Sequence, residues 1–189
     1  ETVCMTSGRV SLVQGVVEAP DGSFFFRMGQ IHTLESRSAG PGYSIGRAWM
    51  QATDSPFIRS GAGPYNEVVV SLLGTAESFS ISPNGMRIAF LHSTAMDPPE
   101  IYVQDLEEGA EPTRLTDTAT ALFRSFDWVA PRFKWMYRLK NQEIRSEIPC
   151  RVYDDMSVPA PSDRGKPVVL FSHGAGYTQH VYDGWSYYF

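Results

Sequence analysis

A hairpin signal that occurs twice constrains this chain more than any other feature. Pro20-Asp21-Gly22-Ser23-Phe24-Phe25-Phe26 is matched further along by Pro83-Asn84-Gly85-Met86-Arg87-Ile88-Ala89-Phe90. Asp-Gly and Asn-Gly between apolar runs are strong hairpin signals, since tight primed turns need positive φ at their central residues. The flanking Phe, Ile and Val residues suit a pleated, half-buried surface. A further strand follows each turn. Ile101-Tyr102-Val103-Gln104-Asp105-Leu106 alternates, Glu107-Glu108-Gly109 turns, and Pro112-Thr113-Arg114-Leu115-Thr116 runs back. A weaker copy lies in Tyr43-Ser44-Ile45-Gly46 and Met50-Gln51-Ala52-Thr53, with short strands at Val68-Val69-Val70-Ser71 and Ser78-Phe79-Ser80-Ile81-Ser82. Units of several strands, each with one such hairpin, predict blades of a β-propeller of about 40–45 residues each. An antiparallel sandwich with two similar hairpins is the competing arrangement.

Composition narrows the function classes. Aromatic residues make up 13% of the 189 residues and hydrophobic residues 42%, which argues against disorder. Sixteen Lys and Arg against 21 Asp and Glu give a net charge of −5. That balance predicts no basic surface for nucleic acid or anionic lipid. No run approaches the roughly 18 apolar residues of a membrane span. Cys4 and Cys150 suit neither a disulfide framework nor a zinc cluster, and they leave the compartment open. The chain starts at Glu1 with no leader and ends in the aromatic run Trp185-Ser186-Tyr187-Tyr188-Phe189. That ending reads as a stop in the middle of an element, hence as a fragment.

After Trp128 the pattern changes. Phe133-Lys134-Trp135-Met136-Tyr137-Arg138-Leu139 alternates, Asn141-Gln142-Glu143 turns, and Ile148-Pro149-Cys150-Arg151-Val152-Tyr153 makes a second strand. A linker rich in Pro and Ser then leads to Val168-Val169-Leu170-Phe171, a continuous apolar run of the kind found in the inner strand of an α/β sheet. A domain boundary is placed near 128–132. The run enters His173-Gly174-Ala175-Gly176. Small residues at a strand end let the main chain turn sharply and approach a ligand. A loop of this type supplies a backbone N–H to the oxyanion hole of α/β-hydrolases, and losing one such donor costs about 3–4 kcal/mol of barrier in a known case. A Gly-rich turn without catalytic role is equally compatible with four residues. His173 itself reads as a structural histidine, because the donor is main chain.

Other motifs carry less. Gly42-Tyr43-Ser44-Ile45-Gly46 fits the G-x-S-x-G of a nucleophile elbow. It lacks the preceding buried strand, however, and it comes before the His173 loop where the hydrolase order puts it after; Ser44 is rejected. Glu107 and Glu108 read as a solvated hairpin tip. Asp154 and Asp155 lack further ligands at cation-site spacing. His32 and His92 read as strand-end histidines, and neither His173 nor His180 has zinc-ligand partners. Without a GxGxxG or Walker loop, no cofactor and no metal are predicted.

In this order the segments resemble the prolyl oligopeptidase family of serine peptidases, its dipeptidyl-peptidase-IV and acylaminoacyl-peptidase branches above all. The resemblance rests on Ser82-Pro83-Asn84-Gly85-Met86-Arg87-Ile88-Ala89-Phe90, Pro98-Pro99-Glu100-Ile101-Tyr102-Val103, Thr113-Arg114-Leu115-Thr116, Phe126-Asp127-Trp128, Glu147-Ile148-Pro149-Cys150-Arg151-Val152-Tyr153 and Lys166 through Gln179. It implies a mainly β fold: residues 1–128 as the last blades of a propeller and residues 129–189 as the opening strands of an α/β-hydrolase domain. It implies peptide substrates, an oxyanion loop at His173, Gly174 and Ala175 with the Gly174 N–H as donor, and no cofactor. Where the dipeptidyl-peptidase branch has a donor tyrosine this chain has His173, and Ala175-Gly176 replaces the usual Gly-Pro. The family's Ser, Asp and His follow the oxyanion loop, so the resemblance places all three beyond Phe189. The chain alone is then inactive, with exposed strand edges that favour poor solubility or oligomerisation, and a homo-oligomeric parent stays open. A non-catalytic propeller binding or scaffold protein and a carboxylesterase on the same fold are the alternatives.

Overall fold

The computed structural model describes residues 13–29, 42–49, 65–70, 72–140, 143–159, 165–172, 174 and 180–187. Two four-stranded antiparallel meanders dominate it. The first contains β1 (Val13–Glu18), β2 (Phe24–Gly29), β3 (Tyr43–Trp49) and β4 (Tyr65–Val70); the second contains β5 (Thr75–Ile81), β6 (Arg87–Ser93), β7 (Glu100–Asp105) and β8 (Thr113–Arg114). One parallel pairing, Tyr43 with Thr75, joins them into an eight-stranded mixed sheet. The chain is mainly β, as the residue pattern predicts. The expected copy at Met50–Thr53 lies outside the described residues.

The repeat extends further than the Pro-Asx-Gly turn. In β1, Gly15 and Val16 together face Phe26 of β2; in β5, Ser78 and Phe79 together face Phe90 of β6. Both are bulges whose first residue is left-handed, Gly15 at φ 62° and Ser78 at φ 49°. The turns then follow one recipe. The Gly22 amide donates to the Ala19 carbonyl (2.9 Å) and the Gly85 amide to the Ser82 carbonyl (2.8 Å). The Asx carboxyl or amide oxygen accepts from the backbone two residues on, Asp21 Oδ1 from Ser23 N at 3.0 Å and Asn84 Oδ1 from Met86 N at 3.1 Å.

These turns correct the primed geometry expected from Asp-Gly and Asn-Gly. Neither Asp21 nor Asn84 has positive φ; only the glycines after them do, at 79° and 70°. The reason is the proline in front, whose ring locks φ near −65° and so cannot occupy a primed central position. Pro and Asx instead make an ordinary turn, and the left-handed glycine brings the chain back into register.

Both meanders contribute to one core. Phe25, Ile45 and Val70 from the first cluster with Ala76, Ile88 and Phe90 from the second, all at most 2% exposed. Full burial of the Phe, Ile and Val side chains contributes about 1.5–3 kcal/mol each. Polar links tie the same face together: Arg27 pairs with Glu77 at 3.0 Å, and Gln104 Nε2 donates to the Val69 carbonyl at 3.0 Å. In β7, Tyr102, Gln104 and Leu106 turn toward the core while Ile101 is exposed; Gln104 Nε2 is matched by the β4 carbonyl, while its buried Oε1 has no hydrogen-bond partner.

A single helical turn, α1 (Ala121–Arg124), follows β8, capped by Thr120 Oγ1, which accepts from Phe123 N. β9 (Arg132–Lys140) and β10 (Glu143–Val152) then pair as a separate two-stranded antiparallel sheet. Val168–Phe171 departs from expectation. It lies in no strand, and Val168, Val169 and Leu170 are each more than four-fifths exposed. An inner strand needs hydrogen-bonded neighbours at both edges, and the described residues provide none for this run.

Candidate functional site

Of the three residues expected to form the oxyanion loop, His173 and Ala175 lie outside the described residues. Gly174 is exposed, and a Cβ built on it would meet nothing within 4 Å. Upstream of it, Phe171 stacks on His180, ring centroids 6.1 Å apart and planes at 26°.

Beyond His180 the chain docks on the second meander. Thr75, at the start of β5, donates from Oγ1 to the Asp183 carbonyl at 2.7 Å, and the Ala95 amide donates to Asp183 Oδ1 at 2.9 Å. The Trp185 amide donates to Ser93 Oγ at 3.2 Å. Thr75 and Ser93 face each other across the β5–β6 pairing and are 1% and 3% exposed, so each buried hydroxyl is satisfied by this segment. Trp185 also packs edge-on against Phe123 and Trp128, at 5.5 and 6.4 Å.

A tyrosine and arginine cluster lies alongside. Arg151 of β10 donates to the Tyr182 carbonyl at 3.3 Å and stands over the Tyr153 ring at 5.1 Å. Tyr182 meets Tyr43 edge-on, and Arg27 stands over Tyr43 at 4.5 Å. Burial pushes the Tyr182 hydroxyl above its ordinary pKa, and the Glu77 charge adds to it; burial likewise raises Tyr153. Both phenols therefore remain protonated hydrogen-bond donors at neutral pH.

The other sequence candidates resolve into structural roles. Ser44 is buried within β3, not on a strand-to-helix turn, and so lacks the geometry of an elbow. His92 Nε2 meets the Leu73 carbonyl at 2.8 Å and its ring packs edge-on against Tyr102. Glu107 and Glu108 are exposed at the β7–β8 turn. Asp154 pairs with Lys166 at 2.9 Å and Arg132 at 3.1 Å, and the Lys166 hydrogen bond holds its carboxyl below the usual range. Asp155 accepts from Ser157 N and Oγ, closing a turn. His32 lies outside the described residues. Among the described residues no group of His, Cys, Asp or Glu could hold a metal ion, and no helix is long and apolar enough to cross a membrane.

Two groups escaped sequence reasoning. Glu100 is 2% exposed, yet its carboxylate accepts from the Thr118 amide (2.6 Å), the Thr118 hydroxyl (2.9 Å) and Thr116, and pairs with Arg114 at 3.1 Å. Burial alone would raise its pKa; the hydrogen bonds from Thr116, Thr118 and Arg114 outweigh burial and hold it at about 2. Asp183-Gly184 is the other, and its only signal was a turn dipeptide inside an aromatic run. Comparison with family models, with curated proteins and with solved structures finds no match to this chain.

Proposed function

We propose that the chain is part of a serine peptidase acting on short peptides. Its two meanders are neighbouring blades of a β-propeller, and the segment after β10 opens an α/β-hydrolase domain. The supporting observation is the repeated unit: two four-stranded meanders with the same bulge, the same Pro-Asx-Gly turn and one shared core. Blades of a propeller are four-stranded sheets repeated in this manner. In this reading the Gly174 N–H stabilises the oxyanion of the tetrahedral intermediate. The nucleophilic Ser, the His that takes its proton and the Asp that orients the His lie downstream of Phe189 in the parent polypeptide.

The test uses the full-length parent protein with a serine-directed fluorophosphonate, a dipeptidyl-anilide and an acyl ester. The expected result is covalent labelling of one serine downstream of Phe189, together with anilide hydrolysis. Labelling with a large preference for the ester would identify a carboxylesterase. No labelling and no hydrolysis would leave a non-catalytic binding protein and end the peptidase proposal.

A further inference from the structure

We infer that Asn84 is a site of covalent modification: it loses its side-chain amide as ammonia, and the turn that holds it promotes the reaction. The inference does not depend on the peptidase reading. Of the three asparagines, Asn66 is followed by Glu67 and Asn141 by Gln142, while Asn84 is followed by Gly85. Without a Cβ, a glycine leaves its amide nitrogen open to close approach. Asn84 itself is exposed. Its Oδ1 accepts from Met86 N at 3.1 Å, which folds the side chain back along the Gly85 peptide, and from Ser82 Oγ at 2.7 Å. Two donors on one carbonyl oxygen polarise it and stabilise the oxyanion that forms when a nucleophile adds to the carbon. The opposing bond, from the Gly85 amide to the Ser82 carbonyl at 2.8 Å, lies in a turn whose Asn84 and Met86 are exposed, so it opens locally at little cost.

In the reaction, hydroxide takes the Gly85 amide proton and the nitrogen bonds to Asn84 Cγ. The Cγ–Nδ2 bond breaks, and ammonia leaves with a proton from water, which regenerates the hydroxide. One water molecule then opens the five-membered imide, at Cγ to give aspartate or at the main-chain carbonyl carbon to give isoaspartate. The matching turn of the first meander shows which product fits. There Asp21 stands in the place of Asn84, and its Oδ1 accepts from Ser23 N as Asn84 Oδ1 does from Met86 N. The aspartate product therefore keeps the turn. The isoaspartate product adds a methylene to the main chain ahead of Gly85 and loosens the bond from the Leu106 amide to the Met86 carbonyl (2.8 Å), which ties this turn to the end of β7. Asp21 itself resists attack, because the Ser23 hydroxyl and amide, with Arg47, hold it as a carboxylate.

The test incubates the full chain in mildly alkaline buffer, folded and in guanidinium chloride, and follows the peptide containing Asn84 by mass spectrometry. We expect conversion at Asn84 and not at Asn66 or Asn141, at least as fast in the folded chain as in denaturant. Ser82→Ala removes one donor and should slow the folded chain by about twofold to tenfold, the worth of one neutral hydrogen bond. Ser82→Thr keeps the hydroxyl and should match the wild type. Asn84→Asp should melt at the wild-type temperature. No conversion at Asn84 in the folded chain overturns the site. Slower conversion folded than unfolded, or Ser82→Ala as fast as the wild type or faster, overturns promotion by the turn. Ser82→Thr as slow as Ser82→Ala overturns the role of the hydroxyl, and a lowered melting temperature in Asn84→Asp overturns the fit of the aspartate product.

Discussion

The two meanders share a backbone plan and meet it with different side chains. In the first, the bulge is a glycine, and Arg47 reaches back to Asp21 and Ser23 at the turn while standing over Phe25. In the second, the bulge is Ser78, held at φ 49°, and Arg87 pairs with Asp105 across the strands. The second meander also contains Glu100, fully buried and fully hydrogen-bonded, and its rim receives Asp183 and Trp185. The difference teaches that the hydrogen-bond frame tolerates exchange of polar parts, provided the buried apolar face is kept. It also shows where the units have specialised: the second takes the hydrogen bonds of Asp183 and Trp185, while the first meets the same segment through the Tyr43 ring against Tyr182.

The sharpest way to break the comparison is through the core. Phe25 and Phe90 belong to different meanders and the same cluster, at 0% and 2% exposure. Phe25→Ala and Phe90→Ala should each lower unfolding free energy by about 3–5 kcal/mol in a denaturant titration. Each should shift a single transition of the entire sheet. Two separate transitions, only one of them shifted by each variant, would mean that the meanders are independent units.

Next in size is the acid response. The Glu100 carboxyl is held at about 2 against an ordinary 4.5, so its folded pKa is depressed. A depressed carboxylate contributes stability above the unfolded pKa and loses it as pH falls through the folded one. The contribution is about 3 kcal/mol at neutral pH, lost progressively from about pH 5 down to about pH 2. Glu100→Gln should remove most of that slope in a pH series of chemical denaturation. If the variant weakens between pH 5 and 2 as steeply as the parent, another group causes the acid loss.

The smallest effect sharpens the comparison at the bulges. A non-glycine residue in the left-handed region costs about 1–2 kcal/mol. Gly15→Ala should destabilise by about that amount through φ alone, since the nearest atom to a new Cβ is Phe79 Cε1 at 3.9 Å. Ser78→Gly should relieve strain, offset in part by unfolded-state entropy, for a net gain below about 1 kcal/mol. Opposite signs in thermal melts confirm equivalent bulges; a loss in both would show that the Ser78 side chain contributes more than its backbone costs.

Much of this was legible locally. The hairpins at Pro20 and Pro83, the turn at Gly109 and the β9–β10 pair follow from turn residues and alternation over a few positions. The Pro ring should also have excluded a primed turn. The Ser78 bulge was not legible, because serine has no preference for the left-handed region and is forced there by pairing opposite Phe90. Nor was the buried face of β7, where alternation identified two faces but not that the core lay behind Gln104. At the candidate site the chain pattern singled out Gly174, while the anchor at Asp183 left almost no local mark.

Sequence alone determined the mainly β character, the places where the chain reverses and the charge balance, because these depend on residues a few positions apart. Tertiary structure alone decided that two meanders close on one core, that Glu100 is a buried carboxylate and that Thr75 and Ser93 receive Asp183 and Trp185. Such contacts join residues far apart in the chain. Their free energy comes from desolvating and satisfying groups together, which no single segment can specify.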